Sequence, residues 1–195
     1  MRCLRVSNCF RVALLGAGLA LIASQSAVAA TGQMGGMDMG GGAKKPMASP
    51  PATATVNFGG QQVVIKYNTP SMRGRKIMGG LVPYGQVWRT GANPATTLIT
   101  PVPLHIGALL VPAGTYTIYS LPDPKEWKLI VNKQTGQWGT EYTQGMDLGR
   151  VPMKGKTLDR PQEVMSISFD GTKGNETELH VRWENTDEFV KVTTP

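Results

Sequence analysis

The run TATVNFGGQQVVIKY, Thr53 to Tyr67, decides the fold class. Val63, Ile65 and Tyr67 fall on one side of a period-two pattern, and Gln62, Val64 and Lys66 on the other. A strand with one buried face requires that alternation. Gly59-Gly60 separates Thr53–Phe58 from Gln61–Tyr67, and two glycines supply the backbone angles of a two-residue hairpin. The same signal recurs downstream. Trp127, Leu129 and Val131 share a face within Glu126–Asn132, as do Met165, Ile167 and Phe169 within Gln162–Asp170, and Leu179, Val181 and Trp183 within Thr177–Glu184. Thr96–Thr100, Val102–Ile106, Leu109–Val111, Thr115–Leu121, Trp138–Tyr142, Leu148–Met153 and Glu188–Thr194 are further strand candidates. Pro101 and Pro103 suit an edge or a bulge. Short strands at this spacing, with no helical period, predict an all-β fold, a single antiparallel β-sandwich of jelly-roll-like type.

One long segment breaks the pattern. Pro70 to Thr97, PSMRGRKIMGGLVPYGQVWRTGANPATT, carries five glycines and three prolines and no acidic residue. That composition excludes a long regular element, and so long a connection inside a compact domain is functional or disordered. Ile77, Met78, Leu81, Val82 and Trp88 argue against disorder. Arg73, Arg75 and Arg89, with Lys76, are candidates to hold a carboxylate or phosphate. Tyr84 and Trp88 are candidates to stack on a sugar or a guanidinium. Asn93 adds a directional polar group, and Trp138, between two glycines, is a second candidate wall. The competing reading makes Trp88 a core plug and Arg89 a clamp on backbone carbonyls. Both readings stay open on sequence alone.

The chain has 195 residues. Its first 29 read as a secretory signal peptide: Arg2, Arg5 and Arg11 without an acid, an apolar run from Val12 to Ala23, and a small-x-small site at Ala27-Val28-Ala29. The apolar run is short for a membrane span, which takes about 20 residues. The expectation is a periplasmic or secreted protein, without a membrane span once the leader is removed. Both cysteines, Cys3 and Cys9, lie in the leader. A cysteine nucleophile, a thiolate metal site and a disulfide scaffold are therefore excluded from the exported chain. Loss of the leader leaves 17 basic against 13 acidic residues, a net charge of +4. Seven of those bases lie between Asp38 and Asp123, where there is no acid, a local positive field suited to an anionic partner. No nucleic-acid motif accompanies it, so a nucleic-acid partner is not expected.

Residues 30–51 form a Gly/Met-rich tail that cannot build a core, and residues 52–195 form the domain. Within the tail, MGGMDM places Met34, Met37 and Met39 beside Asp38. Closely spaced thioethers can wrap Cu(I), and the stretch resembles the methionine motifs of bacterial copper-handling proteins. Copper is the one cofactor the sequence suggests.

Three blocks carry a further resemblance. YNTPSMRGRKIMGGLVPYGQVWRTGANPATT, VPAGTYTIYSLP and EWKLIVNKQTGQWGTEY resemble the hallmark blocks of the bacterial family known as domain of unknown function 2911. The resemblance covers Ala52 to Val192. It implies an exported, mostly β domain of unassigned role and carries no catalytic residue with it. The Met-rich tail lies outside it.

The residues themselves give no positive sign of catalysis. Ser71 and Ser120 lack a nucleophile-elbow motif. Carboxylates for glycoside hydrolysis come from the acidic second half, Glu126, Glu141 or Asp147 being examples. His105 and His180 alternate with apolar neighbours, so both are expected to face solvent, and no HxH spacing supports a metal. The leading expectation is a non-enzymatic domain that binds a small anionic or carbohydrate ligand at the central segment. Copper binding by the tail, or a hydrolase of unknown substrate, are the alternatives.

Overall fold

The computed structural model describes residues 48–195. The expected leader, residues 1–29, and Met34, Met37 and Met39 lie outside them. Ten strands follow in order: β1 (Pro51–Phe58), β2 (Gln61–Asn68), β3 (Thr96–Thr100), β4 (Leu104–Ile106), β5 (Leu109–Val111), β6 (Gly114–Leu121), β7 (Lys128–Asn132), β8 (Asp147–Pro152), β9 (Lys154–Lys173) and β10 (Glu176–Thr193). A 3₁₀ turn at Gln144–Met146 is the helical element among the described residues. The strands form two antiparallel sheets, ordered β1-β2-β3-β6-β7-β8 and β5-β4-β10-β9. Their inner faces meet in one core, so the domain is an all-β sandwich.

The opening hairpin is built as its residues require. Gly59 and Gly60 lie at φ +57 and +86, and pairing runs unbroken from Phe58–Gln61 to Pro51–Asn68. Val63, Ile65, Leu129, Val131, Leu179, Val181 and Trp183 are buried together between the sheets. Pro101 and Pro103 lack an N–H for the ladder, and β4 accordingly begins only at Leu104. Trp138–Tyr142 is a loop rather than a strand. Gly139 approaches the central segment closely there: its N–H donates to the Asn93 carbonyl at 3.2 Å, and a Cβ in its place would overlap the Arg89 side chain. The loop is thus pressed onto the central segment, and Trp138 reaches only Pro94, by an isolated bridge.

β10 is not straight. Asn175 and Thr194 are 19 positions apart, which as extended chain spans about 60 Å, yet Nδ2 of Asn175 donates to the Thr194 carbonyl at 3.1 Å. Lys191 likewise pairs with Glu176. The strand doubles back at Glu184-Asn185, where Glu184 takes φ +54, so that Thr177–Glu184 and Glu188–Thr194 become two arms lying side by side. The reversal exchanges the parity of inward positions. Leu179, Val181 and Trp183 point into the core on the first arm, and Val190 and Val192 on the second. Asp187 therefore joins His180 and Arg182 on the outer face, while Glu188 turns inward at the end of the sandwich.

The same reversal anchors the central segment. The Glu184 carboxylate accepts the backbone N–H groups of Ile77 at 3.0 Å and Met78 at 3.1 Å. Ile77, Met78 and Val82 are buried in the core. Further on, Trp88 and Ser120 exchange backbone hydrogen bonds of 2.8 Å in both directions. The segment is an irregular strap fixed at several points along its length. No helix among the described residues is long and apolar enough to cross a membrane.

Candidate functional site

The structure spreads the arginines and aromatics of the central segment over several surfaces. Arg75 bonds its own loop, Nε to the Met72 carbonyl and Nη2 to that of Ser71. Arg73 donates from Nη2 to the Ala48 carbonyl, and Lys76 is exposed. Trp88 stacks on Trp183 with ring centroids 5.8 Å apart and meets Trp127 edge-on at 6.3 Å. It packs against the core. Arg89 donates to the Asn93 carbonyl at 3.1 Å and borders a cavity of about 240 Å³ with Trp88, Gln86, Tyr119 and Thr140. Asn93 and Trp138 border a separate groove beside Asn68 and Ser49. The Asn68 and Asn93 amides both donate to the Ser49 carbonyl there.

Tyr84 alone of this set reaches a third place, a cleft of about 290 Å³ at the end of the sandwich. Its ring lies over Gly79, where a Cβ would come within 2.7 Å of it, and Gly79 also holds φ +72. A side chain at position 79 would meet both a strained backbone and the ring. Across the cleft stand Asp123 and Lys125 from the β6–β7 connection, Lys156 from β9, and Asn185 and Glu188 from β10. Asp123 is exposed, and its Oδ1 accepts the N–H of Lys125 at 2.8 Å and of Glu126 at 3.4 Å, an Asx turn.

Glu188 sets the electrostatics. It is only 8 % exposed, and its carboxyl enters none of the hydrogen bonds or ion pairs among the described residues. Opposite it in the ladder is Gly155, where a Cβ would stand 2.5 Å from its Oε1. Glycine is thus what lets the carboxyl lie against that strand. Burial, reinforced by the charge of Asp187, pushes its pKa up to about 7, because desolvation disfavours the ionised form. A largely buried carboxyl without a hydrogen-bond or ion-pair partner, opening on a cleft, makes this cleft the candidate site.

Behind the cleft lies a charged network on the outer face of β10. Asp187 is fully buried. It accepts from Nδ1 of His180 at 2.7 Å and Nε of Arg182 at 2.9 Å, with the Lys156 ammonium at 3.3 Å. Burial alone would raise its pKa, but the hydrogen bonds from His180 and Arg182 hold it below the usual carboxylate range. Arg182 also reaches Ser168 and Asp170. His180 is 2 % exposed, stacked on Phe189 at 5.0 Å. This corrects the expectation that it faces solvent. It does sit on the outer face, as its alternation requires, but the folded-back second arm of β10 covers it. Its Nε2 is buried without a hydrogen-bond partner, and no cluster of metal-ligating side chains occurs among the described residues. Glu188 and Asp123 carried no motif in sequence. The parity exchange at Glu184, which turns Glu188 inward, depends on a turn with no glycine to announce it.

No curated protein and no solved structure matches the chain. A family model described as protein of unknown function (DUF2911) matches residues 49–192, the whole sandwich with its central strap. The chain belongs to that family.

Proposed function

We propose that the domain is an exported binding protein for an acidic glycan, which it holds in the Tyr84 cleft. The observation that carries this reading is the placement of a 41 % exposed tyrosine ring beside Lys125 and a largely buried, unpartnered carboxyl in one cleft. An aromatic face takes the apolar side of a sugar ring. Lys125 supplies charge for a uronate carboxylate, and Asn185 with neutral Glu188 supplies directional hydrogen bonds to hydroxyls. Export rests on the amino-terminal sequence from Arg2 to Ala29.

The test is thermal unfolding of the protein with oligogalacturonate, oligoglucuronate, cellohexaose and inorganic phosphate. A ligand at 100 times its dissociation constant stabilises by about 2.7 kcal/mol. Stabilisation by the oligouronates, lost in folded Tyr84→Ala and Lys125→Ala, is the expected result. Stabilisation that survives both substitutions but disappears in Arg89→Ala or Trp138→Ala would move the site to the strap cavity or the Trp138 groove. No response to any oligouronate would refute the reading.

A further inference from the structure

We propose that the cleft also hydrolyses the uronate-containing glycoside it holds, with Glu188 giving a proton to the leaving oxygen and Asp123 taking one from the attacking water. The inference rests on the binding reading above and adds an activity to it.

Two carboxyl groups line the cleft, and their surroundings differ in the way that separates an acid from a base. Glu188 is buried on the inner side of β10 with no cation or N–H bonded to it, and faces the cleft over Gly155. The charged groups around it are Asp187 on its own strand, Lys156 on β9, and Asp123 with Lys125 on the β6–β7 connection. Tyr84 on the strap adds a phenol. Of the two cations, Lys156 is held at Asp187 and lies over the Phe189 ring at 5.5 Å, so it is directed away from Glu188. Burial and the Asp187 charge therefore raise the carboxyl pKa to about 7, the range in which a general acid works near neutral pH. Asp123 is exposed, and its Oδ1 accepts two backbone N–H groups, which fix the carboxylate at the edge of the cleft. Its Oδ2 stays available to a water.

The step balances without a co-reactant other than water. The water oxygen bonds to the anomeric carbon as the bond from that carbon to the leaving oxygen breaks. Glu188 protonates the leaving oxygen, and Asp123 removes a proton from the water. Exchange with solvent then returns both groups to their starting states. A single displacement needs room for that water between the two groups. A cleft of about 290 Å³ holds a water, whose share of liquid volume is about 30 Å³, beside a sugar ring.

The experiment incubates the full protein with oligogalacturonate and oligoglucuronate between pH 4 and 9. It follows new reducing ends and the configuration of the first-formed anomer. The expected result is release with inversion, failing above about pH 7 as Glu188 loses its proton. Glu188→Gln and Asp123→Asn should still bind the oligouronates, read by thermal shift, while losing roughly 10²-fold or more in turnover. Binding without release at any pH overturns the hydrolytic inference and leaves the binding reading standing. Full turnover in Glu188→Gln, or a retained anomer, overturns the assigned roles. Absence of binding removes both readings together.

Discussion

Replacing Glu188 by glutamine should stabilise the domain at high pH relative to its effect at low pH. The carboxyl has its pKa raised from 4.5 to about 7 by burial and by Asp187. A raised acid pKa means that the folded state binds the extra proton. Stability contributed by the neutral form is fully present below about pH 4.5 and is lost as the pH climbs through about 7. Each unit of difference is worth about 1.36 kcal/mol, so ionising Glu188 in place costs about 3 kcal/mol once the pH exceeds 7. Glutamine keeps the shape and cannot ionise. Any constant cost of its amide appears equally at every pH, which makes the pH dependence the readable quantity. For a domain of this size 1 kcal/mol moves the midpoint by about 2–4 °C, so the effect at pH 8 should exceed that at pH 4.5 by about 6–12 °C. Denaturant titrations at five pH values between 4 and 8.5, on native and Glu188→Gln protein, measure the difference directly. A difference independent of pH would show that Glu188 titrates as an ordinary carboxylate, and the acid role in the cleft would fall with it.

Trp88→Ala removes a ring held between Trp183 and Trp127 and should cost about 3–5 kcal/mol, measured by denaturant unfolding; a loss under about 1 kcal/mol would mean the ring is not part of the core. Asp187→Ala strands His180, Arg182 and Lys156 without their shared anion, and breaking such a buried network costs about 3–5 kcal/mol. Because the Asp187 pKa is held below its ordinary value of 3.8, its stabilisation is present above that pH and lost as the pH falls through the lowered folded value. An acid limb unchanged by the substitution would contradict that assignment. For the tail, Cu(I) titration of the chain with and without residues 31–51 should show binding only in the longer form if Met34, Met37 and Met39 act as ligands; equal binding by both forms removes the copper reading.

The sequence by itself determined the fold class, because strand alternation and glycine turns are local. The period-two runs at Val63–Tyr67 and Leu179–Trp183 each state which face is buried, and Gly59-Gly60 states where the chain reverses. The strap was legible as an acid-free, irregular segment, and its family blocks were legible as well. What it does there was not. Arg73, Arg75, Arg89 and Asn93 read as ligand contacts or as clamps with equal ease, since the choice depends on which carbonyl lies within reach. The structure puts the Ala48, Ser71, Met72, Asn93 and Ser49 carbonyls in those places. Tertiary structure alone decided the cleft. The reversal at Glu184-Asn185 exchanges inward and outward positions, buries His180 and Asp187 on the outer face, and brings Glu188 to a cleft shared with Tyr84 and Asp123. These residues lie 104 and 65 positions away along the chain, and no local pattern encodes a pairing set by where two sheets end.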